Sequence, residues 1–557
     1  MRKILLASFI ATALFACRQP AAYDTIIRNG LVYDGKGGEP YKADIAINAD
    51  TIAFIGDLTG VKAKIETDAK GMAVAPGFIN MMGHSEESLF QDGRSQSDIR
   101  QGVTTEIFTE SSFGPLNSTM KKQLQNGQGD IKYTVDWSTL GQYMNTLEKK
   151  GISCNIASFV GTGAVRQYVV GEDNKAPTPT QLDSMKLLVD QAMEQGALGV
   201  TNALIYPVDF FAKTDELVAL SKEAAKYGGT YSSHMRSEGN KLYEAVEELI
   251  SISKEAHIPA EIFHLKAAGK NNWGKMDSVI RRVERAMKEG LDITADMYAY
   301  TAGATGLTSS FPPSLQDGGF GKLWQRLHDP VIRKQMAKAM NTDAADWENL
   351  YYGSGGAAHV LLLSFKQDSL KKFTGKTLQE VATIRKQPTE ETAMDLIIQD
   401  STRIGVAYFM INEENIKKQV GLPWVSFGSD EASYTAGGAF LKSNAHPRAY
   451  GNFARVLGKY SRDENALSLR DAIRKLANLP ARHLKLLKRG EIKTGYYADL
   501  VIFDPAKIAD HATYDKPHQY ATGMLDVFVN GVQVLKDGEH TNAVPGRFVK
   551  GPGFKTN

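Results

Sequence analysis

Three patterns divide the chain. From Tyr23 to about Ala75, short β-branched and apolar runs alternate with turn residues, as in Thr25-Ile26-Ile27-Arg28, Asp44-Ile45-Ala46-Ile47 and Thr51-Ile52-Ala53-Phe54-Ile55. The far C-terminus repeats this pattern in Ala498-Asp499-Leu500-Val501-Ile502-Phe503 and Val527-Phe528-Val529-Asn530-Gly531-Val532, each expected to be a strand. Two strand-rich ends around a different middle predict one small β domain assembled from both termini. The middle alternates apolar runs with amphipathic segments, the signature of a parallel α/β arrangement. Strands are expected at 74–81, 103–109, 153–160, 199–205, 229–233, 260–263, 292–297 and 424–428. Helices are expected at 182–194, 214–227, 241–256 and 276–290, where apolar residues recur three and four apart. Eight strands joined this way predict a (β/α)8 barrel of the TIM type. The other parallel solution is a doubly wound open sheet, but no GxGxxG follows an early strand. The connection from Tyr300 to Trp424 is far longer than a plain barrel loop, so it reads as an insertion or lid near the strand ends, after strand seven.

Composition narrows the class without changing it. The 557 residues are 42% hydrophobic and 23% charged, an ordinary globular balance that excludes collagen-like, disordered and polytopic membrane chains. A formal net charge of +2 gives no reason to expect nucleic acid as a partner. Residues 1–16 carry Arg2 and Lys3 before an apolar run from Ile4 to Phe15, which reads as an export signal too short to span a bilayer. The run ends in Leu14-Phe15-Ala16-Cys17, a tetrad resembling a bacterial lipobox, so Cys17 is expected to carry lipid and begin the mature chain. That places the protein on the exported side of a membrane, held by its N-terminal lipid only, with Arg18 favouring the outer membrane. Cys154 is the other cysteine, and inside the apolar run 152–160 it reads as a packed strand residue rather than a nucleophile.

Catalytic residues of such barrels sit at the C-terminal ends of the strands. The polar residues that close an apolar strand are His84, Glu110, His234, His264 and Asp430. His234 and His264 lie one βα repeat apart, so their side chains can converge above the barrel. Two imidazoles and a carboxylate are ligands Zn²⁺ accepts with a position left open for water. A metal-activated water needs a group to take and return its proton, and Asp430 is placed for that. Each residue alone has a plainer reading, such as a hydrogen-bonded strand-end histidine or a helix cap at Ser429-Asp430-Glu431.

The same residues carry a resemblance. Ile27-Arg28-Asn29-Gly30-Leu31-Val32-Tyr33-Asp34-Gly35, Ala75-Pro76-Gly77-Phe78-Ile79 and Gln101-Gly102-Val103-Thr104-Thr105 come first. His234-Met235-Arg236-Ser237-Glu238-Gly239, His264-Leu265-Lys266-Ala267-Ala268-Gly269, Gly428-Ser429-Asp430, His446-Pro447-Arg448 and Gly495-Tyr496-Tyr497-Ala498-Asp499-Leu500-Val501 follow in order. Through almost the whole mature chain this resembles the amidohydrolase superfamily, in its D-aminoacylase (N-acyl-D-amino-acid deacylase) branch. The resemblance implies a (β/α)8 barrel with a small β-sandwich built from both termini: 17–75 and 486–557 in the sandwich, 76–485 in the barrel, the insertion at about 302–420. It implies His234 and His264 as metal ligands, Asp430 as general base, Arg448 as the grip on a substrate carboxylate, Tyr298 as its helper, and Lys266 and Tyr206 as further pocket residues. A guanidinium suits a carboxylate because its fork donates two parallel hydrogen bonds.

Three positions depart from the family. Its first-strand His-x-His falls on Met82-Gly83-His84, so one Zn²⁺ per chain is expected, with His84 the remaining candidate for a second position. Its metal-binding Cys falls at or beside Ser111, where Glu110 can supply a carboxylate instead. Thr162, where relatives often carry His, sits between glycines and reads as a tight loop, and Glu86 and Glu87 are close enough to enter the site but read first as a solvated loop face. The expected activity is hydrolysis of an N-acyl, D-configured amino acid, a small-molecule substrate, to a carboxylic acid and a free amino acid. The alternatives are a cyclic-amide or dipeptide hydrolase, and a lipoprotein that only binds acylated amino acids or peptides.

Overall fold

The computed structural model describes residues 21–110 and 113–555. The expected signal segment, Cys17 and Ser111 lie outside the described residues. The eight barrel strands are Phe78–Gly83, Val103–Phe108, a third in two pieces (Asn155–Ser158 and Val160–Gly161), Gly199–Ala203, Thr230–His234, Ala260–Ile262, Ile293–Met297 and Val425–Phe427. All pair in parallel, and the third joins the two arcs by pairing its first piece with the second strand and its last piece with the fourth. The ring closes between the eighth strand and the first, where Asp430 N donates to Met82 O at 2.8 Å and His84 N to Glu431 O at 3.0 Å. The strands are buried along their whole length because both faces are covered, by helices outside and by side chains such as Ile79, Met82, Ile107, Phe159 and Phe263 inside. The expected helices form at Pro179–Glu194, Thr214–Ala225, Leu242–Ala256 and Met276–Lys288. Pro179–Glu194 begins on Thr178 in a reciprocal capping box, and Leu242–Ala256 stops where His257 turns left-handed at φ 52°.

The β domain is one nine-stranded ladder drawn from both termini. Ala73–Pro76 is its seam: it runs parallel to Tyr23–Val32 on one side and antiparallel to Leu500–Phe503 on the other. Ile26 and Ala46 face one apolar cluster with Leu58, while Ile27, Ile45, Leu500 and Ile502 face another. Two expected strands are corrected. The run 74–81 is two strands, Ala73–Pro76 in the β domain and Phe78–Gly83 in the barrel, because Gly77 breaks between them and its N–H bonds Asp499 O at 2.8 Å. The run 527–532 is a hairpin, since Asn530 and Gly531 take φ of 48° and 79°, the positive values a two-residue turn needs. Two further strands, Val532–Lys536 and Glu539–His540, complete that edge of the sheet before the chain leaves it, and residues near 545–551 bond along Ile152, Ile156 and Gly196 at the barrel's other end.

After the seventh strand the chain builds a three-stranded antiparallel sheet, Ala302–Gly306, Gly405–Phe409 and Val360–Ser364, and several helices before Glu413–Val420 returns it to the eighth strand. Cys154 is buried and free, its thiol against Val103 O. The seam offers a test. A Cβ on Gly77 would fall 2.1 Å from Thr104 Oγ1, whereas one on Gly127 meets nothing within 4 Å. Gly77→Ala is therefore expected to cost ~1–3 kcal/mol by overpacking and Gly127→Ala to leave the urea unfolding midpoint in place; equal midpoints would discount the contact.

Candidate metal centre and active site

Glu110 follows the second strand, His234 closes the fifth and His264 follows the sixth, so the parallel ring delivers all three to the same end. Glu110 Oε1 lies 2.8 Å from His234 Nδ1 and 3.2 Å from His264 Nε2, and the two ring nitrogens are 3.0 Å apart. These donors, all within 4.8 Å of one another, could hold a metal ion. Three donors around one Zn²⁺ at ~2.1 Å stand ~3.4 Å apart in a tetrahedron, so the trio needs to open by only a few tenths of an ångström. The donor set, nitrogen, nitrogen and carboxylate oxygen, suits zinc or a neighbouring divalent ion.

Electrostatics act on two of the three donors. Burial opposes ionisation of Glu110, yet hydrogen bonds from His234 and His264 keep its carboxyl well below the usual range. Burial and Lys266 act against a proton on His264, but Glu238 and Glu110 push it up to about 10. A proton and a divalent cation compete for those lone pairs, so metal uptake releases protons here. Glu238 anchors the outside of the site: it lies 2.8 Å from His264 Nδ1 and 2.5 Å from Lys266 Nζ, which is itself 2.7 Å from His264 Nδ1. A carboxylate on the far ring nitrogen fixes a ligand histidine's tautomer and orientation.

Asp430 faces this trio across the mouth of the ring. Its Oδ1 accepts from His84 Nε2 at 3.1 Å, and that same nitrogen lies 4.0 Å from Glu110 Oε2. Its Oδ2 is 2.8 Å from Arg448 Nη1, while Arg448 Nη2 donates to the Asp430 carbonyl at 2.5 Å. Burial opposes the charge, but Arg448 first and His84 next bring the Asp430 carboxyl down to about 2. Glu110, His264 and Asp430 all take left-handed backbone, φ 58°, 35° and 50°. Such conformations cost ~1–3 kcal/mol each for residues other than glycine and persist where surrounding structure enforces them.

The cavity above has a volume of about 730 Å³, and its wall includes Tyr206, Lys266, Tyr298 and Arg448. Arg448 is buried, its guanidinium 4.2 Å above the Tyr298 ring and already engaged with Asp430. The Tyr206 hydroxyl meets Thr305 Oγ1 at 2.7 Å, and its ring stands edge-on to His234.

The amidohydrolase family model matches residues 66–538. The chain belongs to the amidohydrolase family. A D-aminoacylase of Alcaligenes xylosoxydans xylosoxydans is 28% identical over 530 residues, 94% of this chain and 97% of that protein. A solved D-aminoacylase, described as defining a novel subset of amidohydrolases, superposes with a TM-score of 0.78 at 29% identity, over 95% of this chain and 100% of that one. An N-acyl-D-glutamate deacylase of Bordetella bronchiseptica, solved with zinc and a phosphonate mimic of the tetrahedral intermediate, gives 0.78 at 25% identity, over 95% and 99%.

Against the sequence expectations, this amidohydrolase differs at two places near the site. Glu86 is buried with Tyr143 OH donating to its carbonyl, and Glu87 accepts from Tyr133 OH at 2.7 Å, so neither forms a solvated face. Thr162 opens the helix Thr162–Val169 and donates to Asp209 Oδ1 at 3.2 Å rather than sitting in a tight loop. His84, the candidate for a second position, lies outside the three-donor group, with its Nε2 3.1 Å from Asp430 Oδ1 and 4.0 Å from Glu110 Oε2. Met82 is buried in the apolar cluster with Ile79, Ile107, Phe159 and Phe263.

Other residues were invisible as chemistry in the sequence. Asn80 interrupts the apolar run of the first strand, the one signal available, and it clamps Ser429 from both sides: Ser429 N donates to Asn80 Oδ1 and Asn80 Nδ2 to Ser429 Oγ, each at 2.8 Å. Asp296, whose carboxyl burial pushes up to about 7, accepts from His264 N at 3.0 Å. Glu348 reaches in from the insertion to accept from Glu238 N at 2.7 Å. The donor set predicts about one zinc per purified chain, lost with folding retained in Glu110→Ala and His264→Ala; elemental analysis with circular dichroism checks this, and undiminished zinc in both variants would rule out the trio.

Proposed function

We propose that this amidohydrolase hydrolyses the linear amide of N-acyl-D-amino acids, using a single zinc held by Glu110, His234 and His264. The observation that carries the reading is the convergence of these donors opposite a half-buried, ionised Asp430 across one cavity. The chemistry such an ion supplies when bound is polarisation of the acyl carbonyl and acidification of water. Asp430 Oδ1 takes the water proton and returns it to the leaving nitrogen, with His84 at 3.1 Å orienting the carboxylate. Arg448 and Tyr298 receive the substrate's α-carboxylate, with Lys266 and Tyr206 on the flanking walls, turning binding energy into orientation. Arg448 spends its charge on Asp430 until that carboxylate arrives to share it, and sharing raises the proton affinity of the base. The D preference rests on likeness to the D-aminoacylases. A cyclic-amide activity is disfavoured because Met82, where a His-x-His would begin, lies in the apolar interior.

Asp430→Asn is expected to keep its zinc and lose ~10²–10⁴ in kcat, and Asn80→Ala to keep zinc and lose ~10-fold or more in kcat with KM little changed. Assays on N-acetyl-D-methionine read both, and wild-type turnover in Asp430→Asn would sink the mechanism. We further propose that Cys17 is lipidated after export, on the strength of Leu14-Phe15-Ala16-Cys17. Cys17→Ser should then move the protein from the membrane to the soluble exported fraction; an unchanged membrane share would refute the anchor.

A further inference from the structure

The cavity wall holds more committed charge than free charge. Its carboxylates are occupied: Asp130 by Lys371 and Lys442, Glu238 by Lys266, Asp430 by Arg448, Glu87 by the Tyr133 hydroxyl and Glu431 by the Tyr434 hydroxyl. Those pairings consume Lys266 and Arg448. Two lining cations, Arg403 and Lys366, form no ion pair among the described residues. Lys366 Nζ donates only to Asn126 O, at 2.7 Å. Arg403 Nη2 reaches Thr305 Oγ1 at 3.3 Å, with its guanidinium 4.7 Å above the Tyr206 ring.

Both cations come from the insertion and from one place in it. Gly405 pairs with Ser364, so the antiparallel ladder sets Arg403 and Lys366 just beyond the same ladder end. Arg403 is exposed at the rim and Lys366 half-buried, a mouth open to a polar ligand. The guanidinium lies over the Tyr206 ring, and Tyr206 in turn packs edge-on against His234 at 5.4 Å between ring centres. An unneutralised fork therefore stands one aromatic ring from the metal trio, on the wall that carries the insertion, whereas Arg448 serves the wall of the eighth strand.

We propose that Arg403, assisted by Lys366, binds a second carboxylate of the substrate, so that the preferred substrates are N-acyl amino acids bearing two carboxylates. This rests on the N-acyl amino acid reading above and adds its charge class. A guanidinium fork matches a carboxylate in two hydrogen bonds. The carboxylate can belong to the amino-acid side chain or to the far end of the acyl group, and the substrates separate these sources.

The test compares kcat/KM of the zinc-loaded enzyme for N-acetyl-D-glutamate against N-acetyl-D-glutamine, and for N-succinyl-D-alanine against N-butyryl-D-alanine. In the wild type one acidic member is expected to exceed its neutral partner. Arg403→Gln is expected to lower that ratio about 10- to 100-fold, the worth of a charged hydrogen bond, with Arg403→Lys restoring part of it and Lys366→Gln lowering it less. A wild-type preference for both neutral members, or an acidic preference that survives Arg403→Gln, overturns the inference while leaving the deacylase reading intact. No turnover of any of the four overturns both.

Discussion

The hydrogen bond from Asp430 N to Met82 O closes the ring of strands, and the side chain of the same residue faces the metal trio. Barrel closure and placement of the base are thus one constraint. Asp430 can satisfy both only with a left-handed backbone, φ 50°, which turns its carboxylate inward just as its amide reaches the first strand. Arg448 on the Asp430 carbonyl and Asn80 on the neighbouring Ser429 hold that turn from two further directions. A shift of the eighth strand relative to the first would move the base with it, so packing inside the barrel is felt directly in the chemistry.

Glu110 and His264 repeat the device at the ends of the second and sixth strands. Each leaves its strand through an unfavourable backbone conformation, and each is held there by contacts with another strand. Glu110 N bonds Thr201 Oγ1 at 3.2 Å, and His264 N bonds Asp296 Oδ1 at 3.0 Å. Local strain at the site is offset by the hydrogen bonds and burial of the ring around it, the usual arrangement for preorganised centres.

The barrel was legible in the sequence because burial on both faces fills the strands mostly with apolar and small polar residues, and a histidine or carboxylate at the end of such a run stands out. His234, His264, Glu110 and Asp430 were readable on that account alone. The junction at Gly77 was not, because Ala73–Pro76 and Phe78–Gly83 are both apolar and one run hides two strands with different partners. The hairpin at Asn530-Gly531 carried its turn signal openly within a run otherwise fit for a strand. Glu238 and Glu348 stayed hidden for another reason: exposed and buried carboxylates look alike in a sequence, and only the fold shows that Lys266 and the amide of Glu238 wait for them. Arg403 likewise reads as one loop arginine until the other charges in the cavity, Lys366 apart, are seen to be engaged.

The seam strand Ala73–Pro76 has a kinetic meaning. Its partner on one side, Tyr23–Val32, precedes it closely in the chain, whereas Leu500–Phe503 on the other follows the entire barrel. Closing that gap is a slow, high-contact-order step whose entropy is spent before its contacts form. The N-terminal strands must therefore wait with one apolar edge unpaired until nearly the whole chain is available. During that interval the exposed edge is the part of the molecule most open to pairing with another copy of itself.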